Sequence, residues 1–249
     1  MRHSVELTLA RLAVRQFMGS RRALWALVLA AIPVLLALLM QMEAGRDLKD
    51  ALGDMMGMYQ VLIVAVLLPI VALVVGTSVF GAEVDDGTIT YVLGKPVPRW
   101  RIVLTRIVVA GLLTAAVLVP ATALSMVLGL RGVDAPGVAA GFTAAVFVGG
   151  FLYCALFVAL SLSTRRALVA GLIYVVVWEG LLSNTFGGSR ALSIRQYTLS
   201  LADALSSAPG SPMSRLDVKT ALAMAAAVTV LVTVYAIRRL QRFEIGEAA

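Results

Sequence analysis

A single histidine, His3, and a single cysteine, Cys154, are all the imidazole and thiol that this chain of 249 residues holds. With His3 near a terminus, no serine–histidine dyad and no histidine-based metal site can form in the interior. A lone thiol makes no intramolecular disulfide, so Cys154 reads as a small packing residue. Charge is also scarce: 14% of residues are Asp, Glu, Lys or Arg, and only one acid, Glu179, stands within a long apolar run. An aspartyl dyad needs two such carboxylates, so that chemistry is excluded as well. The phosphate loop Gly-x-x-x-x-Gly-Lys-Ser/Thr is missing, since Gly94-Lys95 is followed by Pro96 and lacks the upstream glycine. These gaps predict a chain that is not itself an enzyme and binds no metal or cofactor.

What is abundant is apolar. Hydrophobic residues make up 60% of the chain and mean hydropathy is +0.94, values of an integral membrane protein. The bulk is Ala, Val and Leu without the alternation of an outer-membrane barrel, which predicts an all-α polytopic fold. Judged against the ~20 residues that cross a hydrocarbon core, the spacing predicts six transmembrane helices. They are Leu24 to Met40, Tyr59 to Phe80, Ile102 to Leu130, Val138 to Ser163, Ala167 to Phe186 and Thr220 to Ile237. The first is not a signal peptide, because its polar preamble is long and five more runs follow. Pro33, Pro69 and Pro120 fall inside spans and should kink them locally.

Basic residues orient the bundle. Of the 21 Lys and Arg, Arg2, Arg11, Arg15, Arg21, Arg22, Lys95, Arg99, Arg101, Arg106, Arg165, Arg166, Arg238, Arg239 and Arg242 share one side of the membrane. Those 14 against 7 put both termini in the cytoplasm of a cell inner membrane. The net charge of +7 reflects this bias and attraction to anionic lipid, and does not point to nucleic acid. Residues 1–23 form an amphipathic interfacial helix, with Val5, Leu9, Leu12 and Phe17 on one side and Arg11, Arg15 and Arg22 on the other. Residues 24–237 carry the six spans, and 238–249 are a cytoplasmic tail.

The cytoplasmic passage from Glu83 to Arg101 stands out. Glu83, Asp85 and Asp86 suit the first turn of a short helix and Lys95 its far end. Gly94 stops it, Pro96 and Pro98 prevent continuation, and Ile89, Val92 and Leu93 give it an apolar side. The plainer reading is an ordinary short connection.

Glu83, Asp86, Gly87, Thr88, Leu93, Pro96, Val97 and Arg99 together form Glu-x-x-acid-Gly-Thr, then Leu-x-x-Pro-hydrophobic-x-Arg. This pattern resembles the loop between membrane helices 2 and 3 of ABC-2 type transporter permeases, and the six-span plan and amphipathic preamble extend the likeness to nearly the whole chain. The resemblance implies that this loop is a coupling helix seated in a groove of a separate ATPase subunit, two copies per complex, with ATP and Mg bound on that partner. Glu83 and Asp86 would pair with it, Ile89 and Leu93 would fill its groove, and Gly87 with Thr88 would permit close approach. Arg11 and Arg15 would lie on the family's connecting helix. The family pairs two permeases, a homodimer in the simplest case, and exports amphipathic, drug-like or lipid-like solutes. A different reading keeps the docking loop but not transport: a membrane sensor or assembly factor, for example in copper-enzyme maturation.

The remaining candidates lie in the second half. Glu179, with Trp178 and Tyr174, is either an intramembrane substrate contact or a solvated group at the interface beside an aromatic belt. Beyond it, Ile194, Tyr197, Leu201 and Leu205 share a helical face, with Arg195, Gln196, Ser200 and Asp203 off it, predicting a short outer interfacial helix between helices 5 and 6. Met40, Met42, Met55, Met56 and Met58 gather on the outer side as adaptable packing, or as thioethers for Cu(I). Small residues at Gly141, Ala145 and Gly149, and at Gly111 and Ala115, let helices approach closely, within the chain or at a dimer seam.

Overall fold

The structure, a computed structural model, describes residues 21–42, 48–85, 98–130, 136–164, 166–183, 188–206, 214 and 216–242. They are helical almost throughout, and five helices are long and apolar enough to cross a membrane. The chain is a multi-pass membrane protein.

Helix α1 is Arg21–Gln41. Helix α2 runs as Leu48–Met58, Tyr59–Leu67 and Leu68–Asp85. Its middle stretch is a π-helix, which ends two residues before Pro69 with the Leu68 N–H bonded to Ile63 O. A proline rejects the i→i−4 pattern, and the wider turn lets the helix continue through it. Helix α3, Arg99–Gly129, starts from an extended Pro98 at the N-cap and carries Pro120 inside. Helix α4 is Pro136–Ser161. Helix α5 joins Ala167–Ile173 to a second π-helix, Tyr174–Leu182. After a short 3-10 turn, Gly188–Leu192, come α6, Ile194–Leu205, and α7, Val218–Arg242.

Helix α4 is the central post. Phe142, Tyr153, Phe157 and Val158 are fully enclosed, and each neighbour approaches α4 through a small residue or a ring. A methyl built on Gly111 of α3 would fall 2.5 Å from the Phe151 ring, and one on Gly76 of α2 would fall 3.0 Å from Phe157 Cβ. Tyr59 of α2 stacks on Phe142 at 4.4 Å, and Tyr174 of α5 meets Phe157 edge-on at 6.4 Å. Arg239 of α7 donates through Nε to Leu162 O at 3.3 Å, occupying a carbonyl that the end of α4 leaves open. In lipid there is no hydrophobic drive between helices, so this close fit is what associates them. Hydroxyls within the helices, such as Thr77 on Leu73 O and Thr143 on Ala139 O, bond to their own backbone.

The small-residue stripe of α4 is used inside the chain. A Cβ on Gly141 would meet the Ser206 nitrogen at 2.5 Å, one on Gly149 would meet Thr198 Oγ1 at 2.5 Å, and Ala145 between them is fully buried. Helix α6 therefore lies antiparallel to the first half of α4, while α5 packs on the second half. The fifth apolar run gives a helix of 7 plus 9 residues, Ala167–Leu182, and is not among the five long ones. At about 1.5 Å per residue its described residues cover about 24 Å of a ~30 Å core, and α6 lies farther along the same post.

Helix α6 occupies the place of the expected short helix between helices 5 and 6. Its polar side is covered, with Gln196, Thr198 and Ser200 buried along with Ile194, Tyr197 and Leu199. The segment before α7 seals that side: Ser200 Oγ donates to Leu216 O at 3.1 Å and the Ser214 N–H donates to Asp203 Oδ2 at 2.7 Å. A helix whose polar face has partners need not lie on the surface to stay satisfied.

Candidate functional site

Glu179 lies at the junction of α4, α5 and α6, and it is 2% exposed. The carboxylate is not solvated: its hydrogen bonds come from protein. Ser193 Oγ donates to Oε2 at 2.5 Å, while the Ile194 N–H, at 2.9 Å, and Tyr174 Oη, at 3.2 Å, donate to Oε1. The Arg195 N–H also turns to the carboxylate.

The local sequence explains each donor. Tyr174 and Glu179 are five residues apart, and a π-turn, closing on i→i+5, sets such residues one above the other where an α-helix would not. Ser193 has the extended backbone of an N-cap, and its hydroxyl accepts from the Gln196 N–H at 3.3 Å. The same oxygen thus caps α6 and bonds Glu179. The first N–H groups of α6 have no intrahelical acceptor, and a carboxylate there is favoured by the helix dipole as well as by hydrogen bonds.

Around this core stand more polar groups. Tyr153 of α4 is fully buried, with its hydroxyl beside Glu179. Arg195 is half-buried with its Nε unpartnered among the described residues, and its charge reaches Tyr153. Trp178 is half-buried and spends its Nε1–H on Leu192 O at 3.2 Å. Of the three residues expected on a substrate path, the structure joins Tyr174 to Glu179 and sets Trp178 apart as a brace for the 3-10 turn. The sequence reading missed Ser193, Tyr153 and Arg195. Ser193-x-x-Gln196 is the spacing of a capping box, and that signal was there to be read.

Such a carboxylate, satisfied on both oxygens, ties two helices. No group of three or more His, Cys, Asp or Glu that could hold a metal occurs among the described residues. Met55 and Met58 are buried, Met55 with its sulfur against Gly129, so these two fill gaps, whereas Met42 is exposed.

Most of the loop motif lies outside the described residues: Asp86, Gly87, Thr88, Ile89, Leu93 and Pro96, and likewise Arg11 and Arg15 of the preamble. What the structure gives are the flanks. Helix α2 carries Glu83 and is described as far as Asp85, and Arg99 opens α3 half-exposed, ahead of Trp100 with the Arg101 guanidinium 5.1 Å over its ring. The family profile of ABC-2 family transporter protein matches residues 7–242, so it takes in the preamble, the loop and every helix. The chain belongs to the ABC-2 transporter family. This permease is thus a transport subunit, its 249 residues holding no phosphate loop, and an ABC permease works with an ATPase partner. A comparison with curated proteins finds no match.

Proposed function

We propose that this ABC-2 permease forms the translocation path for export of an amphipathic, drug-like or lipid-like solute, driven by ATP hydrolysis on a separate nucleotide-binding subunit. The observation that carries this reading is the family match from residue 7 to residue 242, which is continuous through the preamble, the 83–101 loop and all six apolar runs. Helix α5, continued by α6, serves as the fifth of six spans. Both termini lie in the cytoplasm of the inner membrane, and two permeases, as a homodimer, work with two ATPase copies that bind ATP and Mg.

Energy enters at the 83–101 loop. Glu83, Asp86, Gly87, Thr88, Ile89, Leu93, Pro96 and Arg99 form the coupling segment, and Arg11 and Arg15 lie on a connecting helix that steadies it. The junction of α5 and α6 is the natural place for the path to respond, because there the span is broken and one side chain, Glu179, joins its halves.

The test is co-purification of the permease with its ATPase, comparing wild type with Glu83→Ala and Gly87→Trp. Loss of the complex in both variants, with the permease still folded, is the expected result; a complex indifferent to both sinks the coupling assignment. Solute-stimulated ATP hydrolysis by the intact complex, reconstituted in vesicles, separates transport from a sensor role.

A further inference from the structure

Arg195 stands in the first turn of α6 and carries a full positive charge deep into the bundle. Thr198 of α6 lies against Gly149 of α4, and Ser206 against Gly141, so α6 begins partway along the post. Arg195 comes one turn before Thr198, level with Tyr153, on whose hydroxyl its charge acts. Counted along α4, Pro136–Ser161, Tyr153 is about 12 Å from one end and about 25 Å from the other. Wherever a ~30 Å hydrocarbon core falls on that helix, Arg195 is inside it.

No acid neutralises the guanidinium by contact among the described residues. Glu179 takes the Ser193 and Tyr174 hydroxyls and the Ile194 N–H, and what Arg195 gives it is the backbone N–H. Asp203, the other acid near α6, lies about two turns on and accepts from the Ser214 N–H. The stretches on either side of α6, 184–187 and 207–213, contain no Asp or Glu. The Arg195 Nε–H is enclosed by protein and meets no acceptor among the described residues, while the residue as a whole is half-buried. A guanidinium has five N–H donors and accepts nothing. Arginine at such depth is costly against lipid tails, and where it occurs it faces the bundle interior or a water-filled path and marks the route of a substrate or ion.

We infer that the open side of Arg195 faces the translocation path and that its guanidinium receives the anionic group, phosphate or carboxylate, of the exported amphiphile. The inference rests on the export reading above and narrows its solute to an anionic one. The planar fork of N–H groups matches two oxygens of such a group at once. Glu179, by accepting from the Arg195 N–H, fixes the backbone from which that fork is presented.

The experiment uses the permease with its ATPase in phosphatidylcholine vesicles and two solutes that share one tail and one glycerol: oleoyl lysophosphatidate, which has a phosphate, and monooleoylglycerol, which lacks it. Lysophosphatidate should stimulate ATP hydrolysis more than monooleoylglycerol at equal concentration. Arg195→Gln should raise its half-stimulating concentration about tenfold, the loss typical of one hydrogen bond to a charged group, and Arg195→Lys should recover part of it. The response to monooleoylglycerol should stay as in wild type, and Arg242→Gln, on the exposed end of α7, should change neither. Should Arg195→Gln not fold, Arg195→Met keeps the stem and drops the charge. Equal responses to the two lipids in wild type, or a variant that weakens both alike, overturn the site. Glycerol 3-phosphate, the headgroup without a tail, should do nothing, and stimulation by it overturns the amphiphile as occupant. Binding of radiolabelled lysophosphatidate to the purified permease alone separates this site from the export reading: binding that depends on Arg195 without any stimulated hydrolysis sinks export and leaves the anion site standing, whereas binding indifferent to Arg195→Gln overturns the site.

Discussion

Ser193 and Glu179 lie 14 residues apart in the chain and 2.5 Å apart in space, Oγ to Oε2, and this contact joins the end of α5 to the beginning of α6. Since the Ser193 hydroxyl also accepts from the Gln196 N–H, one oxygen closes the helix cap and the interhelix tie together.

That double duty makes two substitutions diverge. Ser193→Ala removes both bonds and should lower stability in detergent by about 1–2 kcal/mol, the usual cost of losing a cap. Ser193→Asp supplies an equally good cap residue but sets a second carboxylate against Glu179, and should cost more than alanine does. Thermal unfolding followed by size-exclusion chromatography ranks the three proteins, and an aspartate variant as stable as wild type would refute the tie.

Glu179→Leu should be the most damaging change at the junction. It leaves the Ile194 N–H and the hydroxyls of Ser193 and Tyr174 buried without their acceptor, at about 1–3 kcal/mol for each group that finds no other. Glu179→Gln keeps a carbonyl for Tyr174 and Ile194 and should be markedly milder in stability. If loss of the charge alone halts transport while the glutamine protein stays folded, the carboxylate acts in the cycle as well as in the fold; transport unchanged in that variant would leave it a structural tie only.

Gly141→Ala tests the seat of α6. The added methyl would meet backbone at Ser206 and Leu205, at 2.5 and 2.6 Å, so no side-chain rotation can relieve it. A cost of about 1–3 kcal/mol is expected from overpacking. Gly137→Ala in the same helix has nothing within 4 Å and should be neutral or slightly stabilising. Equal melting temperatures for the two would mean that α6 does not sit where it is described.

Phe157→Ala should open the centre of the bundle. The ring stacks with Tyr153 at 5.9 Å, receives the edge of Tyr174, and its Cβ lies against Gly76. Truncation of a buried phenylalanine costs about 3–5 kcal/mol, and Phe157→Leu should recover most of it. A folded alanine variant with wild-type melting would overturn the central role of α4.

Hydropathy located the long helices because each residue contributes to it without reference to any other. The predicted runs beginning at Leu24, Ile102, Val138 and Thr220 each fall within an observed helix or within two residues of its ends. Its limit shows at the fifth run. The described helix reaches Leu182 and the end of the run at Phe186 lies outside the described residues, while nothing in a hydropathy sum registers that α6 takes over beside α4. The α6 face was also legible, but its meaning was not. Gln196, Ser200 and Asp203 were polar in the sequence, and polarity alone points to water until Ser214 and Leu216 are found lying over them.

By itself the sequence determined that this protein is a helical membrane protein, because composition and periodicity are properties of residues taken singly or in short runs, and the Glu83 to Arg99 motif carried its likeness to the ABC-2 family. It also singled out Glu179 as costly wherever it was buried. Only the tertiary structure decided what the cost is set against, since Tyr174 reaches the carboxylate through a π-turn, Ser193 and Ile194 come from another helix, and the glycines of α4 let that helix close in. These are distances between residues far apart in the chain or off the regular helical register, and no local pattern encodes them.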